Sequence, residues 1–167
     1  MEKRASSVNT VLVLLVALLV LVLDQASKAA VRQYLLSSET SSIPLLGGLV
    51  HITYVENRGA AFGLLQNQSL FFIVVGILVV AGILVGHRFI PAHQTTLAIC
   101  LGMQLGGASG NLVDRLRFGQ VFDFVELPYW PVFNVADSAI VIGVAILAYH
   151  LLLTSSGKQP ADSDHQP

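Results

Sequence analysis

The chain has 167 residues, of which 54% are hydrophobic and 11% are charged, and its net charge is −1. Soluble domains carry about 25% charged residues, so this composition excludes a water-exposed globular surface and indicates one domain in a lipid bilayer. The near-zero charge and scattered basic residues argue against nucleic acid as a partner. A single cysteine excludes an intrachain disulfide framework and a Cys-based zinc cluster.

Four apolar segments are long enough to cross a bilayer, which requires about 20 residues per helix. They cover approximately residues 8–30, 70–88, 95–113 and 135–153. The first resembles a secretory signal peptide, because Lys3 and Arg4 precede its apolar run, but three further spans favour an uncleaved helix. We therefore predict an all-α membrane protein with a single four-helix domain over residues 1–154 and a disordered polar tail over residues 155–167.

The segment between the first two spans is predicted to contain a short strand or hairpin. Its sequence LVHITYV is rich in β-branched and aromatic residues and begins just after a Gly47-Gly48 turn. We expect it to form a small extracytoplasmic β platform against the membrane. Because Lys3 and Arg4 flank the first span, the positive-inside rule favours a cytoplasmic location for both termini.

The second and third spans are joined by a short link with Pro91 at its break, which predicts an antiparallel hairpin of helices. The third span contains three glycines with GxxxG spacing, at Gly102, Gly106 and Gly110. Small residues at this spacing allow helix backbones to approach closely in lipid, so tight packing is the favoured interpretation.

Polar residues that are uncommon in membrane proteins collect at one predicted membrane face. They lie at helix ends or between helices: Asp24, Lys28, Asn57, Arg58, Asn111, Asp114, Arg115, Asp123, Asn134 and Asp137. Ionisable groups near hydrocarbon are costly, so they pair with one another or mark a functional site.

Several of these residues also have a purely structural interpretation. Asp24 and Lys28 have the i, i+4 spacing of a helical ion pair. Asn134 and Asp137 fit the N-cap and N3 positions of the fourth span. Asp114 fits a solvated turn charge.

Asp123 has no evident capping role, since it lies between two phenylalanines in VFDF. Two prolines after it break the chain and would let Asp123 approach Asp137. Burial and a second carboxylate both raise a carboxyl pKa, so the pair could share one proton. The ionised member would act as general base on water while the protonated member polarises a carbonyl. Such chemistry requires no metal or cofactor, and the chain has neither an HExxH nor a GxSxG motif.

Two other classes compete with this interpretation. A presenilin-type intramembrane protease would carry a GxGD motif deep within a helix, and this chain lacks one. A small transporter or a structural four-helix membrane protein would use the carboxylates to bind protons or cations, or only to cap helices.

Five stretches in order resemble the lipoprotein signal peptidase family, signal peptidase II of the bacterial inner membrane. They are LDQASK, ENRGAAFG, GGASGNLVDR, VFDF and FNVADSAI, and together they cover about residues 20–145. The resemblance implies that Asp123 and Asp137 are the catalytic pair. It further implies site-lining or supporting roles for Asn57, Gly59, Asn111, Arg115, Asn134, Asp24 and Lys28.

The resemblance also implies the substrate, a prolipoprotein that carries diacylglycerol on its lipobox cysteine and is cut just before that cysteine. The site would lie near the extracytoplasmic face of the inner membrane, where the globomycin class of inhibitors would occupy it. A monomer would suffice, with membrane lipid as the other partner.

Overall fold

The structure is a computed structural model that describes residues 2–38, 40–59, 64–91 and 93–156. Its body consists of four long helices: α1 (Glu2–Ser37), α2 (Ser69–Gly86), α3 (Thr95–Phe118) and α4 (Val135–Ser156). Each is long and apolar enough to cross a membrane, so the four predicted spans are confirmed and the chain is a multi-pass membrane protein. Helix α4 continues two residues into the predicted tail, and the remainder of that tail, residues 157–167, lies outside the described residues.

Helices α1 and α3 extend further than their apolar sequence predicts. α1 continues from residue 30 to Ser37, and α3 continues from residue 113 to Phe118. α3 ends at Gly119, whose φ of 74° gives the left-handed backbone that terminates a helix, with its N–H bonded to the Arg115 carbonyl at 2.9 Å. The polar ends of both helices therefore lie side by side beyond their apolar segments.

Helix α3 packs against α1 at the distance of direct backbone contact. A Cβ added to Gly106 would lie 2.6 Å from the Ala17 carbonyl oxygen, and one added to Gly102 would lie 2.7 Å from Val16 Cβ. In lipid there is little hydrophobic driving force between helices, so this close van der Waals contact holds them together. The predicted role of the glycines in tight packing is confirmed at these positions.

Gly106→Ala is expected to destabilise the folded protein by about 1–3 kcal/mol, because its methyl group would separate α3 from α1. The matched control is Gly82→Ala in α2, where an added Cβ meets no atom within 4 Å. That variant should change stability by no more than about 1 kcal/mol. Thermal unfolding in detergent compares the two, and equal behaviour would contradict the close α1–α3 contact.

Four antiparallel strands form one sheet at the end of the bundle, in the order β1 (Ser42–Leu45), β2 (Val50–Asn57), β3 (Val121–Leu127) and β4 (Trp130–Phe133). The predicted platform after the first span is thus confirmed as β1 and β2. β3 and β4 complete it from the segment between α3 and α4, where only a turn was expected. Tyr129, with φ of 63°, lies in the β3–β4 turn that returns the chain towards α4.

The pairing of β2 with β3 sets the position of the polar groups. Val55 lies opposite Asp123, and Asn57 lies opposite Val121. Residues two apart along a strand share a face, so Asn57 is a diagonal neighbour of Asp123 on the same face of the sheet.

Candidate active site

Asp123 and Asp137 line one cavity of about 550 Å³ between the sheet and the helices. Asp123 lies on β3 and is 2% exposed, whereas Asp137 occupies the first turn of α4 and is half-buried. The remaining walls are mostly apolar and include Phe72, Val132, Phe133, Ile140 and Val141. Two carboxyl groups therefore face an apolar space that could hold an extended peptide.

Burial is the main cause of an unusual pKa at Asp123, and the charge of Asp137 adds to it. Together they raise the pKa of Asp123 to about 7, although amide groups of Asn57 and Asn134 donate hydrogen bonds that favour its ionised form. One proton on the pair at neutral pH is the state that a general acid and a general base need at the same time.

Asn134 connects the two carboxyl groups at the start of α4. Its Oδ1 accepts the Asp137 N–H at 2.9 Å, and its own N–H donates to Asp137 Oδ2 at 3.3 Å, which is a reciprocal capping box. Its Nδ2 donates to Asp123 Oδ1 at 2.6 Å. Asp137 therefore caps α4 and also lies in the same cavity as Asp123.

Asn57 reaches Asp123 from the end of β2, and Gly59 fixes its orientation. The Gly59 N–H donates to Asn57 Oδ1 at 3.0 Å, which leaves Asn57 Nδ2 to donate to Asp123 Oδ2 at 2.9 Å. A Cβ at Gly59 would lie 2.5 Å from the Leu64 carbonyl oxygen, so the turn requires glycine here. Arg115 donates to the Gly59 carbonyl at 3.2 Å and thereby holds the same turn.

Asn111 donates a hydrogen bond to Asp137, as Asn57 does to Asp123. Its Nδ2 donates to Asp137 Oδ1 at 2.7 Å, while its Oδ1 accepts from Lys28 Nζ and from Asn134 Nδ2, both at 3.1 Å. Each of the three asparagines thus has its oxygen bound to an N–H donor and its Nδ2 directed at a carboxyl group.

Lys28 lies behind Asn111 in a buried charge cluster. Its Nζ is 2.8 Å from Asp24 Oδ2 and 2.7 Å from Asp114 Oδ2. Gln25 Nε2 lies within hydrogen-bond distance of both carboxylates, at 3.1 and 2.9 Å, and Asp24 Oδ1 accepts the Ala136 N–H at 3.0 Å. The cluster ties α1 to α3 and to the first turn of α4, the turn that carries Asp137.

Two members of this cluster differ from the expectation from sequence. The structural alternative given for Asp114, a solvated turn charge, is wrong, because Asp114 is 3% exposed and paired with Lys28. Gln25 was not identified, and its position beside Asp24 in a polar helix end was the only available signal. Arg115 lines the cavity, donates its hydrogen bond to Gly59, and has its guanidinium 4.8 Å from the centre of the Phe72 ring.

The four spans, with a sheet at one end of the bundle, define the class as a multi-pass membrane protein, and two carboxyl groups line one of its cavities. Residues 16–153 match the family model of signal peptidase (SPase) II. The chain belongs to the signal peptidase II family and is a peptidase, as its resemblance to that family predicted.

Relatives and solved structures agree with this family. The chain is 50% identical to the lipoprotein signal peptidase of Moorella thermoacetica over 149 residues, which is 88% of this chain and 98% of the relative. It is 47% identical to that of Pelotomaculum thermopropionicum, over 80% and 86% of the two chains. A bacterial membrane enzyme solved at 2.3 Å resolution superposes with a TM-score of 0.78 at 26% identity, over 91% of this chain and 94% of that one.

Proposed function

We propose that this chain removes the signal peptide from diacylglyceryl-modified prolipoproteins by cutting just before the lipidated cysteine. The observation that carries the proposal is the carboxyl pair of Asp123 and Asp137, held by three oriented asparagines at an apolar cavity. The enzyme acts as an aspartic endopeptidase in which both carboxyl groups contact the reacting atoms.

The chemistry uses one proton on the pair. The ionised carboxylate takes a proton from water, and the water oxygen bonds to the scissile carbonyl carbon as the other carboxyl group gives its proton to the carbonyl oxygen. The tetrahedral diol then collapses: the ionised carboxylate takes a proton from one of its hydroxyl groups, the C–N bond breaks, and the protonated carboxyl group gives its proton to the leaving nitrogen, which leaves one proton on the pair. Both carboxyl groups and the three asparagine amides that donate to them come from one chain, which supports activity as a monomer.

Asn57, Asn111 and Asn134 act in this scheme as positioning residues, since their amides contact the carboxyl groups. Lys28 acts one step further away, through Asn111, and Asp24 acts through Lys28. Gly59 and Arg115 hold the turn that orients Asn57.

The proposed location is the bacterial inner membrane, with both termini cytoplasmic and the site near the extracytoplasmic face. Lys3 and Arg4 beside the first span support this orientation. A signal peptide would leave the hydrocarbon at that level, and the acyl chains of the substrate could stay in the bilayer while its peptide enters the cavity. Globomycin would compete for the same cavity.

A gel-shift assay with a purified precursor tests the substrate. The diacylglyceryl-modified prolipoprotein should be cleaved at least about tenfold faster than the same precursor without lipid, because the lipid anchor contributes binding remote from the bond that breaks. Mass spectrometry of the product should show the lipidated cysteine at its new N-terminus. Equal cleavage of both precursors would contradict recognition of the lipid. A product with a different N-terminal residue would contradict the proposed cleavage position.

The pH dependence should show loss of activity as the pair loses its last proton. Because the pKa of Asp123 is raised to about 7, the protonated form is present below that pH and disappears as the pH rises through it. We expect kcat/KM to fall above about pH 7, with an apparent pKa that belongs to the pair. A rate that increases steadily from pH 7 to alkaline pH would contradict the shared proton.

A further inference from the structure

A second cavity of about 570 Å³ lies outside the candidate active site. Its walls come from the last turns of α1, the last turns of α3 and adjoining residues of β2 and β3. At its base lie Gln25, Lys28 and Asp114, so the buried charge cluster forms one wall of this cavity. Neither Asp123 nor Asp137 lines it, and the peptidase mechanism assigns it no ligand.

Two arginines in this cavity converge on one aromatic ring. The guanidinium of Arg32 on α1 lies 5.5 Å from the centre of the Phe118 ring, and that of Arg117 on α3 lies 5.3 Å from it. Ion pairs within 4.0 Å in the described part of the chain involve Lys28 and Arg58 as the cations. Arg32 and Arg117 therefore contact the same ring, and no carboxylate in the described part of the chain forms an ion pair with either of them.

The acidic residues of the cavity make their closest contacts with other groups, although Glu56 lies near enough to Arg32 to interact with its charge. Asp114 is already paired with Lys28 at 2.7 Å. Glu56 is exposed, accepts a hydrogen bond from Tyr54 at 2.9 Å and lies 4.0 Å from Arg58. The lining thus carries three basic and two acidic side chains, which is an excess of one positive charge.

The position of the arginine pair matches the surface of a bilayer. Arg32 and Arg117 lie near the ends of two membrane-spanning helices, beyond their long apolar segments. Arginines at such positions extend their charge to the level of lipid phosphates. The cavity also includes apolar surface beside the cations, from Ala29, Leu36 and Phe118.

We propose that this cavity binds the headgroup of an anionic phospholipid, with the phosphate between Arg32 and Arg117. Guanidinium groups form paired hydrogen bonds to phosphate oxygens and stack on aromatic rings, and both contacts are available here. The apolar wall receives the glycerol and upper acyl carbons, and the acyl chains remain in the bilayer beside α1. The site is separate from the peptide-binding cavity and holds lipid whether or not substrate is present.

Native mass spectrometry of the full chain in detergent tests the proposal without reference to peptidase activity. The protein is titrated with phosphatidylglycerol or with phosphatidylcholine, and the lipid-bound fraction gives an apparent Kd. Wild type is compared with the double variant Arg32→Gln/Arg117→Gln and with Arg88→Gln, which removes an exposed arginine after α2 at the other end of the bundle. Unchanged melting in lipid-free detergent establishes that each variant is folded, and Arg32→Lys/Arg117→Lys serves if the glutamine pair does not fold.

The expected result is a preference of wild type for phosphatidylglycerol on the order of tenfold, which the double glutamine variant loses and Arg88→Gln retains. The lysine variant should keep part of the preference, since it retains charge but not paired hydrogen bonding. Equal affinity of wild type and the double variant, or equal binding of the two lipids, would overturn the proposal. Displacement of the lipid by equimolar inorganic phosphate would also overturn it, since the site would then bind free phosphate.

Discussion

Replacing either carboxyl group of the pair by an amide is expected to reduce cleavage by about 10²- to 10⁴-fold. Asp123→Asn and Asp137→Asn each leave a side chain of nearly the same size but remove the group that accepts or donates the proton. Both carboxyl groups are needed in different protonation states, so either variant alone should give this loss. The gel-shift assay with the diacylglyceryl-modified precursor measures the rate.

Folding must be checked in these variants, because the amide groups around the carboxyl pair are oriented to donate hydrogen bonds to carboxyl oxygens. Asp123 accepts from Asn57 on one oxygen and from Asn134 on the other, so an amide NH₂ at this position faces a donor. The resulting loss is about 1–3 kcal/mol, partly offset because a buried charge is removed. Melting in detergent separates this effect from the chemical one.

Glu126→Gln is the matched control for the loss of a carboxylate. Glu126 lies on β3 with Asp123, but it does not line the cavity that contains Asp123 and Asp137. Its variant should cleave at close to the wild-type rate. Retained cleavage in either aspartate variant, under conditions where Glu126→Gln is fully active, would refute the proposed roles of the pair.

The spans were predictable because a bilayer requires long apolar helices, whatever they contact. The ends of the helices were not predictable, because a charged residue that follows an apolar segment usually lies in solvent. At the end of α3, Asp114 instead points into the bundle and pairs with Lys28 of α1. This contact joins residues 86 positions apart, and nothing in the local sequence NLVDR distinguishes it from an exposed turn.

The sheet, too, could be predicted only in part from local sequence patterns. β2 was predictable because LVHITYV has strand-forming residues beside a glycine turn. β3 and β4 carry similar residues, but the two prolines after VFDFVEL predicted only a turn. The pairing of Asn57 with Val121 depends on the packing of α1 and α3, which brings both segments to one end of the bundle.

Candidate site residues could be proposed from sequence because buried polar groups in a membrane protein are few and costly. What the sequence could not provide is their connection. Asn111 was one polar residue among ten, whereas the structure shows that Lys28 binds its oxygen and so directs its Nδ2 to Asp137. Orientation of an amide depends on its partners, which a single sequence does not reveal.

Lys28→Met is expected to destabilise the folded protein by about 3–5 kcal/mol, the usual cost of removing one partner from a buried ion pair. The lysine side chain is 6% exposed, and its two carboxylate partners, Asp24 and Asp114, are 0% and 4% exposed. Methionine fills a similar volume but leaves both charges without a cation. Thermal or chemical unfolding in detergent measures the loss.

Arg58→Met provides the exposed comparison. Arg58 is 59% exposed and lies 4.0 Å from Glu56, so its removal should cost no more than about 1 kcal/mol. In the double variant Lys28→Met/Asp114→Asn one of the two unpaired charges is gone, so the combined loss should be smaller than the sum of the single losses. Additive losses, or a Lys28→Met loss no larger than that of Arg58→Met, would contradict the charge cluster.

Lys28→Met should also lower kcat more than it raises KM, measured in the protein that remains folded. Without the Nζ contact, the Asn111 amide loses a donor to its oxygen and can rotate, which presents that oxygen to Asp137 in place of Nδ2. Under the proposed function, peptide binding is expected to depend instead on the apolar walls of the cavity, which do not include Lys28. A variant that binds and cleaves like wild type, once its folded fraction is accounted for, would restrict Lys28 to stability alone.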